Sequence, residues 1–334
     1  MKALALFSGG LDSILAVKLI KEQGIEVVGV TFVSPFFDAS RAQEMSSLLG
    51  LPLIIQDITE DLLPLVISPR YGYGQQMNPC LDCRILMFTR AKEIMEREGA
   101  QFLIAGEVLG ERPLTQNRQA LLLTARRAGL EGYVLRPLSA LLLPPTVPEE
   151  EGWVDRSKLL GIKGRSRKPQ MELAKRLGIE RYPSPGGGCL LTDPGYAQRL
   201  KRLLIHRPQP SRRELELLKY GRHFFLSGCL VVVSRREEEN PKILELKREE
   251  DLLLSLKNLP GPRTLVIGDP SWEELLRAAA LTVRYSKARE RKRTWVLAVR
   301  EKPSAEEEIL VTRQEVEGVC KIQPEGGASS WKYN

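Results

Sequence analysis

The sequence predicts a doubly wound parallel α/β domain followed by a second, smaller α+β domain. Three observations support this prediction. Short apolar runs alternate with helical periodicity from the N-terminus onward, a Gly-rich turn follows the first run, and the pattern changes to short strands after residue 208. A chain of 334 residues also exceeds the usual size of a single domain.

The first elements are predicted as strand, loop and helix. Residues 3–7 form a short apolar run, a Gly-rich turn follows, and apolar side chains from Leu11 to Leu19 recur at helical spacing. The next predicted elements are a Val-rich strand at 26–32, a helix at 40–49 and a strand at 53–57. Alternation of this kind is typical of a parallel sheet.

The α/β pattern continues past residue 100, with a predicted helix at 84–98 and a strand at 101–107. A helix at 169–177 precedes a Gly-rich turn, and Arg207 to Pro210 are typical of a linker. Short strands such as 229–234 and 264–267 follow. The predicted domains are therefore residues 1–207 and 208–323, with a flexible tail at 324–334.

Composition narrows the class of protein and its location. The net charge of +8 favours either an anionic partner or simply a solvated basic surface. No apolar run reaches the roughly 20 residues that cross a bilayer, so no membrane partner is expected. Five cysteines argue against a secreted disulfide framework and favour thiol or metal chemistry in a reducing compartment. We expect a cytoplasmic protein.

The turn after the first strand has the composition of a phosphate-binding loop. Backbone N–H groups converge at a helix N-terminus, where the helix dipole also favours negative charge. Gly9 and Gly10 permit close approach, Ser8 and Ser13 can donate hydroxyl hydrogen bonds, and Asp12 can cap the helix or position Mg²⁺. An ordinary βα turn would explain the glycines alone. The absence of Gly-Lys-Ser/Thr argues against a Walker-type site.

Residues 8–13 read Ser-Gly-Gly-Leu-Asp-Ser and resemble the signature of the PP-loop ATP pyrophosphatases. The resemblance implies that a substrate carbonyl oxygen attacks the α-phosphorus of ATP, that pyrophosphate leaves, and that a nucleophile then displaces AMP. It also implicates Thr31 and Phe32, at the end of the second strand, in an adenosine pocket. Gly106 and Glu107 end another strand, where doubly wound sheets place their ligands.

Three cysteines form a second candidate site. Cys80 and Cys83 precede a predicted helix, and Cys189 follows three glycines that give a permissive approach to a site. Together they suggest a cluster with three protein ligands and one open iron, although buried inert cysteines are the alternative. Cys229 and Cys320 look like strand residues without a role.

The cysteine pattern resembles that of PP-loop tRNA thiolation enzymes, in which Cys-x-x-Cys and a distant third cysteine bind an iron–sulfur cluster. The resemblance implies a [4Fe-4S] cluster at Cys80, Cys83 and Cys189, whose fourth iron would bind the sulfur to be delivered. A three-cysteine zinc site and a persulfide mechanism use the same thiols and remain open. Similar stretches at 106–113, 135–138 and 164–168 extend the resemblance to about residue 205.

Two departures from known thiouridine synthetases leave the modified uridine open. The sequence begins directly at the phosphate loop, so we expect no N-terminal RNA-binding extension of the kind found in bacterial 4-thiouridine synthetases. Five cysteines also cannot supply the paired zinc ribbons of the synthetases that act on the tRNA T-loop.

Two basic segments are candidates for RNA contacts, with solvated loops or helix faces as the alternative. The first comprises Arg165, Arg167 and Lys168. The second lies where residues 215–322 resemble the NFACT-R RNA-binding module, and Tyr285 there is available to stack on a base. Its basic residues are Arg284, Lys287, Arg289, Arg291, Lys292 and Arg293.

The sequence thus predicts a tRNA sulfurtransferase that uses ATP and Mg²⁺, with tRNA and a sulfur donor, either sulfide or a persulfide carrier, as partners. One alternative is a PP-loop ligase that forms an amide on a small carboxylate, although no glutaminase domain is recognisable. The other is an RNA-binding factor with a vestigial nucleotide site.

Overall fold

The chain folds into two compact units in a computed structural model, which describes residues 1–184 and 188–322. The first unit comprises Met1–Thr192, and the second begins at Asp193. The predicted tail at 324–334 and two of the three glycines before Cys189 lie outside the described residues. No helix in the described parts of the chain is long and apolar enough to cross a membrane.

The first unit contains a five-stranded sheet with the order β3-β2-β1-β4-β5, in which every neighbouring pair is parallel. Its strands are Lys2–Leu6 (β1), Glu26–Val33 (β2), Leu53–Asp57 (β3), Phe102–Ala105 (β4) and Val134–Leu135 (β5). The strand order reverses between β1 and β4, which creates the switch point where ligands bind in such sheets. The predicted doubly wound parallel sheet is confirmed.

Helices connect and cover these strands. They are Leu11–Lys21 (α1), Ser40–Leu49 (α2), Thr59–Ile67 (α3), Cys80–Arg97 (α4), Arg118–Arg127 (α5), Val147–Glu150 (α6) and Lys168–Arg176 (α7). The core beneath them includes Phe7, Leu15, Phe102 and Ile104, all at most 1% exposed. Each such side chain contributes roughly 1.5–3 kcal/mol by leaving water, so the sheet positions its loops rigidly.

Helix α4 begins earlier than the sequence predicted. Its first residue is Cys80, so both cysteines of the Cys-x-x-Cys motif lie in the first helical turn and not before it. Pro79 occupies the N-cap position, and a proline there interrupts the apolar periodicity from which helix starts are recognised. The carboxylate of Asp82 accepts hydrogen bonds from the backbone N–H groups of Arg70 and Tyr71, both at 3.1 Å, which fixes the preceding loop against the helix.

The second unit contains a six-stranded antiparallel sheet with the order β11-β10-β8-β9-β7-β6. Its strands are Arg222–Leu226 (β6), Cys229–Val233 (β7), Leu252–Leu256 (β8), Thr264–Ile267 (β9), Arg293–Arg300 (β10) and Ala305–Thr312 (β11). Its helices are Pro194–His206 (α8), Arg212–Leu217 (α9), Glu239–Glu245 (α10), Trp272–Arg284 (α11) and Arg313–Gly318 (α12). Helix α11 packs its apolar face, including Leu275 and Leu281, into the core of this unit.

Helix α8 groups with the second unit, so the division between the units precedes the boundary expected near residue 208. The side chain of Asp193 caps this helix by accepting a hydrogen bond from the backbone N–H of Tyr196 at 2.6 Å. The hydroxyl of Tyr196, which is 1% exposed, then donates to the carbonyl of Leu215 at 2.9 Å. These contacts join α8 to α9 within the same unit.

Candidate functional site

The Gly-rich loop lies between the carboxyl end of β1 and the N-terminus of α1. Gly10 is the N-cap residue of α1 and receives no side-chain cap, so the N–H groups of the first turn point out of the helix end. Gly9 has a φ of +71°, and a Cβ there would lie 2.5 Å from the carbonyl oxygen of Arg41. The Ser13 hydroxyl donates to the Gly10 carbonyl at 2.8 Å. This geometry suits an anion at the helix N-terminus.

Gly106 supports this loop from the carboxyl end of β4. A Cβ at Gly106 would lie 2.6 Å from the backbone nitrogen of Ser13 and 2.7 Å from the carbonyl oxygen of Asp12. No side chain fits at that distance from backbone atoms, so only glycine lets the two segments meet. The sequence-predicted residues Gly106, Asp12 and Ser13 are therefore brought together.

Asp12 lies in a group of charged and polar side chains beside the loop. Its Oδ1 atom is buried and makes no hydrogen bond with a described residue. Burial raises the pKa of the Asp12 carboxyl, while Arg167, Gln170 and Arg112 oppose this rise. Burial and the nearby charge of Asp12 likewise raise the pKa of Glu111. Two carboxylates, Asp12 and Glu111, thus interact with two guanidinium groups, Arg112 and Arg167, and these groups can hold Mg²⁺ and phosphate oxygens respectively.

Gln170 adds an amide to this group. It is 0% exposed and interacts with the Asp12 carboxyl, but neither of its amide atoms has a hydrogen bond of regular geometry with a described residue. Buried amides normally find partners, because an unmade bond costs about 1–3 kcal/mol. An amide in this position is suited to contact a bound ligand.

A backbone connection brings the 164–168 segment to the phosphate loop. Gly164 donates its N–H to the carbonyl of Leu109 at 2.8 Å. The Ser139 hydroxyl links the same two segments, because it accepts from the N–H of Leu109 and donates to the carbonyl of Ile162. Arg167 consequently interacts with Asp12 and Glu111, whereas Arg165 and Lys168 are exposed. The three basic residues predicted together for RNA binding therefore lie in two different environments.

Glu107 follows Gly106 and is 1% exposed. Its Oε1 atom lies 3.0 Å from Nε of Arg84, and its Oε2 atom lies 2.9 Å from Nε of Arg136. Arg136 also donates to the carbonyl of Leu121 at 2.8 Å. The sequence predicted that Glu107 binds the nucleotide, but both of its oxygens face arginines in the structure. Because Arg84 directly follows Cys83, this carboxylate connects the end of β4 to the cysteine-bearing turn of α4.

The three predicted cysteines lie near one another. Cys83 interacts electrostatically with Cys189 and Cys80, and Cys189 interacts with Cys80. Burial is the main cause that raises the pKa of Cys83 to about 12 and of Cys189 to about 11, so both thiols are protonated at neutral pH. A metal ion would displace these protons. The donor chemistry therefore fits an iron–sulfur cluster or zinc.

The thiols are not arranged as a closed ligand set, because residues 1–184 and 188–322 contain no group of three or more His, Cys, Asp and Glu side chains placed to hold a metal. Asn78 contacts the first thiol, since its Nδ2 atom donates to Sγ of Cys80 at 3.1 Å. Cys229 is buried in β7, and Cys320 is exposed in a 3₁₀ turn at Val319–Lys321 and not in a strand.

Thr31 and Phe32 lie near the carboxyl end of β2, as the sequence predicted. Both side chains are covered, at 7% and 5% exposure, and successive strand residues point to opposite faces. Only one of the two can therefore face a nucleotide on either side of the sheet.

The basic segment of the second unit divides into bonded and exposed residues. Arg284 donates to the carbonyls of Val319 and Ile322 at 2.6 and 2.9 Å. The ring of Tyr285 lies 4.4 Å from the Arg222 guanidinium and 5.1 Å from that of Arg284. Arg284 and Tyr285, both predicted to contact RNA, thus contact other residues of the second unit. The exposed members are Lys287, Arg289, Arg291, Lys292 and Arg293.

The sequence prediction missed Glu111, Arg112, Gln170 and Arg84. Glu111 and Arg112 follow the same strand end as Gly106, so the rule that placed ligands at strand ends also applied to them. Gln170 lies within a helix, where no local pattern distinguishes it from a solvated residue. Arg84 gains its significance only from a contact with a residue far along the chain.

Comparison with known proteins adds two family matches. Residues 1–141 match the family model described as thiamine biosynthesis protein (ThiI), and residues 221–321 match that of the NFACT protein RNA binding domain. These matches agree with the resemblances derived from the phosphate loop and from the C-terminal part of the sequence.

Individual relatives include tRNA-specific 2-thiouridylases MnmA. The protein from Syntrophotalea carbinolica is 34% identical over 117 residues, which cover 31% of this chain and 33% of the relative. The protein from Xanthobacter autotrophicus is 26% identical over 233 residues, covering 63% of this chain and 56% of the relative. The chain thus spans only a third to just over half of the length of these relatives.

Among solved structures, a 4-thiouridine synthetase in complex with RNA and bound ATP is similar to part of the chain. It shows 23% sequence identity and a TM-score of 0.40 and covers 64% of this chain and 52% of the solved chain.

Proposed function

We propose that this chain, which joins a PP-loop domain of the tRNA thiouridine synthetase type to an NFACT-type RNA-binding domain, is an ATP-dependent tRNA sulfurtransferase. One observation carries the proposal. Two consecutive residues join the phosphate loop to the cysteines, because Gly106 packs against Asp12 and Ser13 while Glu107 binds Arg84 beside Cys83. A nucleotide site and a thiol site that both contact the end of β4 suit a reaction that needs both.

The first step activates a uridine carbonyl oxygen. That oxygen attacks the α-phosphorus of ATP, the bond to the β-phosphate oxygen breaks, and pyrophosphate leaves. The loop N–H groups bind the phosphates, and Arg167 and Arg112 stabilise the negative charge that develops on them. Asp12 and Glu111 would provide oxygen ligands for Mg²⁺, whose charge would neutralise the phosphates further.

The second step replaces the activated oxygen by sulfur. The oxygen of a uracil ring is a poor leaving group, whereas AMP is a good one. Sulfur bonds to the ring carbon, and the carbon–oxygen bond breaks with its electron pair remaining on AMP. A [4Fe-4S] cluster held by Cys80, Cys83 and Cys189 would supply an iron that binds sulfide, the nucleophile of this step. A persulfide carrier would release that sulfide only with two electrons from a thiol pair, which becomes a disulfide.

Neighbouring residues orient the cysteines for this reaction. Asn78 orients the Cys80 sulfur through its 3.1 Å hydrogen bond, and Glu107 orients the turn that carries Cys83 through Arg84. Binding of the tRNA by the second unit would raise the local concentration of the uridine. The reaction of uridine with ATP then becomes effectively unimolecular. We place the protein in the cytoplasm on the basis of its tRNA substrate.

Cysteine variants test the thiol site. Protein purified without oxygen should contain iron and acid-labile sulfide, and Cys80→Ala, Cys83→Ala or Cys189→Ala should each lose the cluster and tRNA thiolation while RNA binding persists. Cys320→Ala is the matched control and should change neither, because this thiol is exposed in the second unit. Stoichiometric zinc without sulfide, or full thiolation without iron, would replace the cluster by the zinc or persulfide mechanism.

Phosphate-loop variants test the nucleotide site separately. Asp12→Ala and Ser13→Ala should each abolish conversion of ATP to AMP and pyrophosphate, since both residues lie at the loop that Gly106 supports. Release of ADP by the unmodified protein would contradict the PP-loop mechanism. Formation of an amide on a small carboxylate, with no thiolated tRNA, would favour the ligase alternative.

A further inference from the structure

The six-stranded sheet has one face that α11 does not cover. Val296 and Ala298 of β10 point into the core with α11, so the alternate residues of β10 point to the opposite face. Those residues are Arg293, Trp295, Leu297 and Val299, and Trp295 is 47% exposed. A large aromatic side chain therefore lies on the face opposite α11. This face is open only at β8, β10 and β11, because every residue of β7 and β9 is buried.

The neighbouring strands give Trp295 a flat and partly apolar setting. Leu310 of β11 lies directly opposite it in the register, and on the other side Lys257, which follows β8, donates its backbone N–H to the Trp295 carbonyl at 2.9 Å. The Lys257 ammonium is paired with Glu308. Cross-strand neighbours of this kind hold an aromatic ring in place without covering its face.

Several basic residues precede Trp295 in the sequence. The exposed residues Lys287, Arg289, Arg291 and Lys292 precede β10, and Arg293 shares the open face with Trp295. Glu290 is the one carboxylate between Arg284 and Arg293. Glu308 of β11 lies on the same face opposite Leu297, but its carboxylate is paired with the Lys257 ammonium, and Glu306 lies further along, opposite Val299. The basic end of the face suits a phosphate backbone.

We infer that a single-stranded segment of RNA stacks a base on Trp295 while its phosphates contact the exposed basic residues at 287–293. Tyr285, which the sequence suggested for this role, has its ring occupied by Arg222 and Arg284. Trp272 is more exposed, at 56%, but it begins α11 beside Glu273 and Glu274, whose charges repel phosphate. Among the described residues of the second unit, Trp295 is thus an exposed aromatic side chain that adjoins positive charge.

This inference rests on the proposed binding of RNA and deepens it. Stacking and phosphate contacts have different experimental signatures, because stacking is largely insensitive to salt, whereas each phosphate contact releases counterions and steepens the salt dependence. Loss of one base stack should weaken binding by roughly tenfold or more.

The test measures binding of a labelled single-stranded RNA oligonucleotide to the full chain by fluorescence anisotropy across a salt titration. Trp295→Leu should weaken binding about tenfold at every salt concentration with an unchanged salt slope, since leucine still covers Leu297 and Leu310 but has no π face. Trp295→Phe should restore most of the affinity. The double change Arg291→Ala and Lys292→Ala should instead lower the slope, and Trp272→Leu is the matched control expected to bind as the unmodified chain does.

Wild-type affinity of Trp295→Leu, with weaker binding by the arginine and lysine variant, would overturn the stacking inference and leave RNA binding intact. A change in oligomeric state on Trp295→Leu, seen by sedimentation without loss of RNA affinity, would overturn it in favour of a contact between two copies of the chain. If the unmodified chain bound no RNA at all, the proposed function would fail together with the inference.

Discussion

Gly10→Ala separates contact with the nucleotide from folding. Gly10 has φ −77° and ψ 159°, which alanine adopts without strain, and its Cβ would meet only the Ser8 hydroxyl at 3.4 Å. Alanine is a poorer N-cap residue by about 0.5–1 kcal/mol. It also restricts the unfolded chain, which stabilises the fold by about 0.4–1 kcal/mol. The two effects offset one another, so the free energy of unfolding should change by less than about 1 kcal/mol.

Binding of ATP should respond much more strongly. The added methyl group lies on the loop that must approach the phosphates, and packing an extra methyl against a rigid neighbour costs about 1–3 kcal/mol. This corresponds to roughly tenfold to hundredfold weaker binding. Calorimetric titration with a non-hydrolysable ATP analogue measures the affinity, and thermal unfolding without nucleotide measures the stability.

Two other glycines provide the controls. Gly106→Ala should destabilise the unit by about 1–3 kcal/mol even without nucleotide, because its Cβ would lie 2.6 Å from the Ser13 nitrogen. Gly161→Ala should change neither property, since its Cβ meets side chains at 3.5 Å or more. Unchanged affinity of Gly10→Ala for the ATP analogue would refute the assignment of the loop.

The other predictions concern buried charges. Glu107→Gln should reduce thiolation more than ATP affinity, because it weakens the ion pair between the end of β4 and Arg84. The control is Glu149→Gln, which changes another buried carboxylate paired with an arginine. An equal loss of thiolation in the control would show a general effect on stability. Asp12→Asn should stabilise the nucleotide-free protein at pH 7, and because burial raises the Asp12 pKa, this gain should vanish as the pH falls below about 4 in chemical denaturation. Burial lowers the pKa of His223 to about 3. The free energy of unfolding should therefore fall by up to about 1.4 kcal/mol per pH unit as the pH drops below about 6.5. Hydrogen exchange of the β6 amides measures this fall, and its dependence on pH should disappear in His223→Leu. An equally acid-sensitive β6 in His223→Leu would assign the effect to other groups.

Local patterns in the sequence predicted the sheet well. The helix at Ser40–Leu49 and the strand at Leu53–Asp57 have the predicted bounds, because each has clear periodicity and Gly50 separates them. The predicted start of α4 was wrong by one turn, since Pro79 and the Cys-Leu-Asp-Cys turn gave no apolar repeat. Local sequence thus predicts the presence of a helix or strand better than the residues at which it begins and ends.

The composition of the site depended on contacts between distant residues. Arg167 was grouped with Arg165 and Lys168 by sequence proximity, yet the bond from Gly164 to Leu109 moves Arg167 to the phosphate loop. Tyr285 was selected because it adjoins basic residues, but the open sheet face presents Trp295. Which side chains meet is decided by tertiary packing, which a single sequence does not display.

In the proposed mechanism, ATP activates the uridine oxygen itself. An isotope experiment follows that oxygen, with tRNA whose uracil carbonyl oxygens carry ¹⁸O incubated with ATP, Mg²⁺ and a sulfur donor. We expect one AMP for each thiouridine formed, with the ¹⁸O atom transferred into the phosphate of that AMP. Thiouridine formed together with unlabelled AMP, or with ADP, would contradict this mechanism.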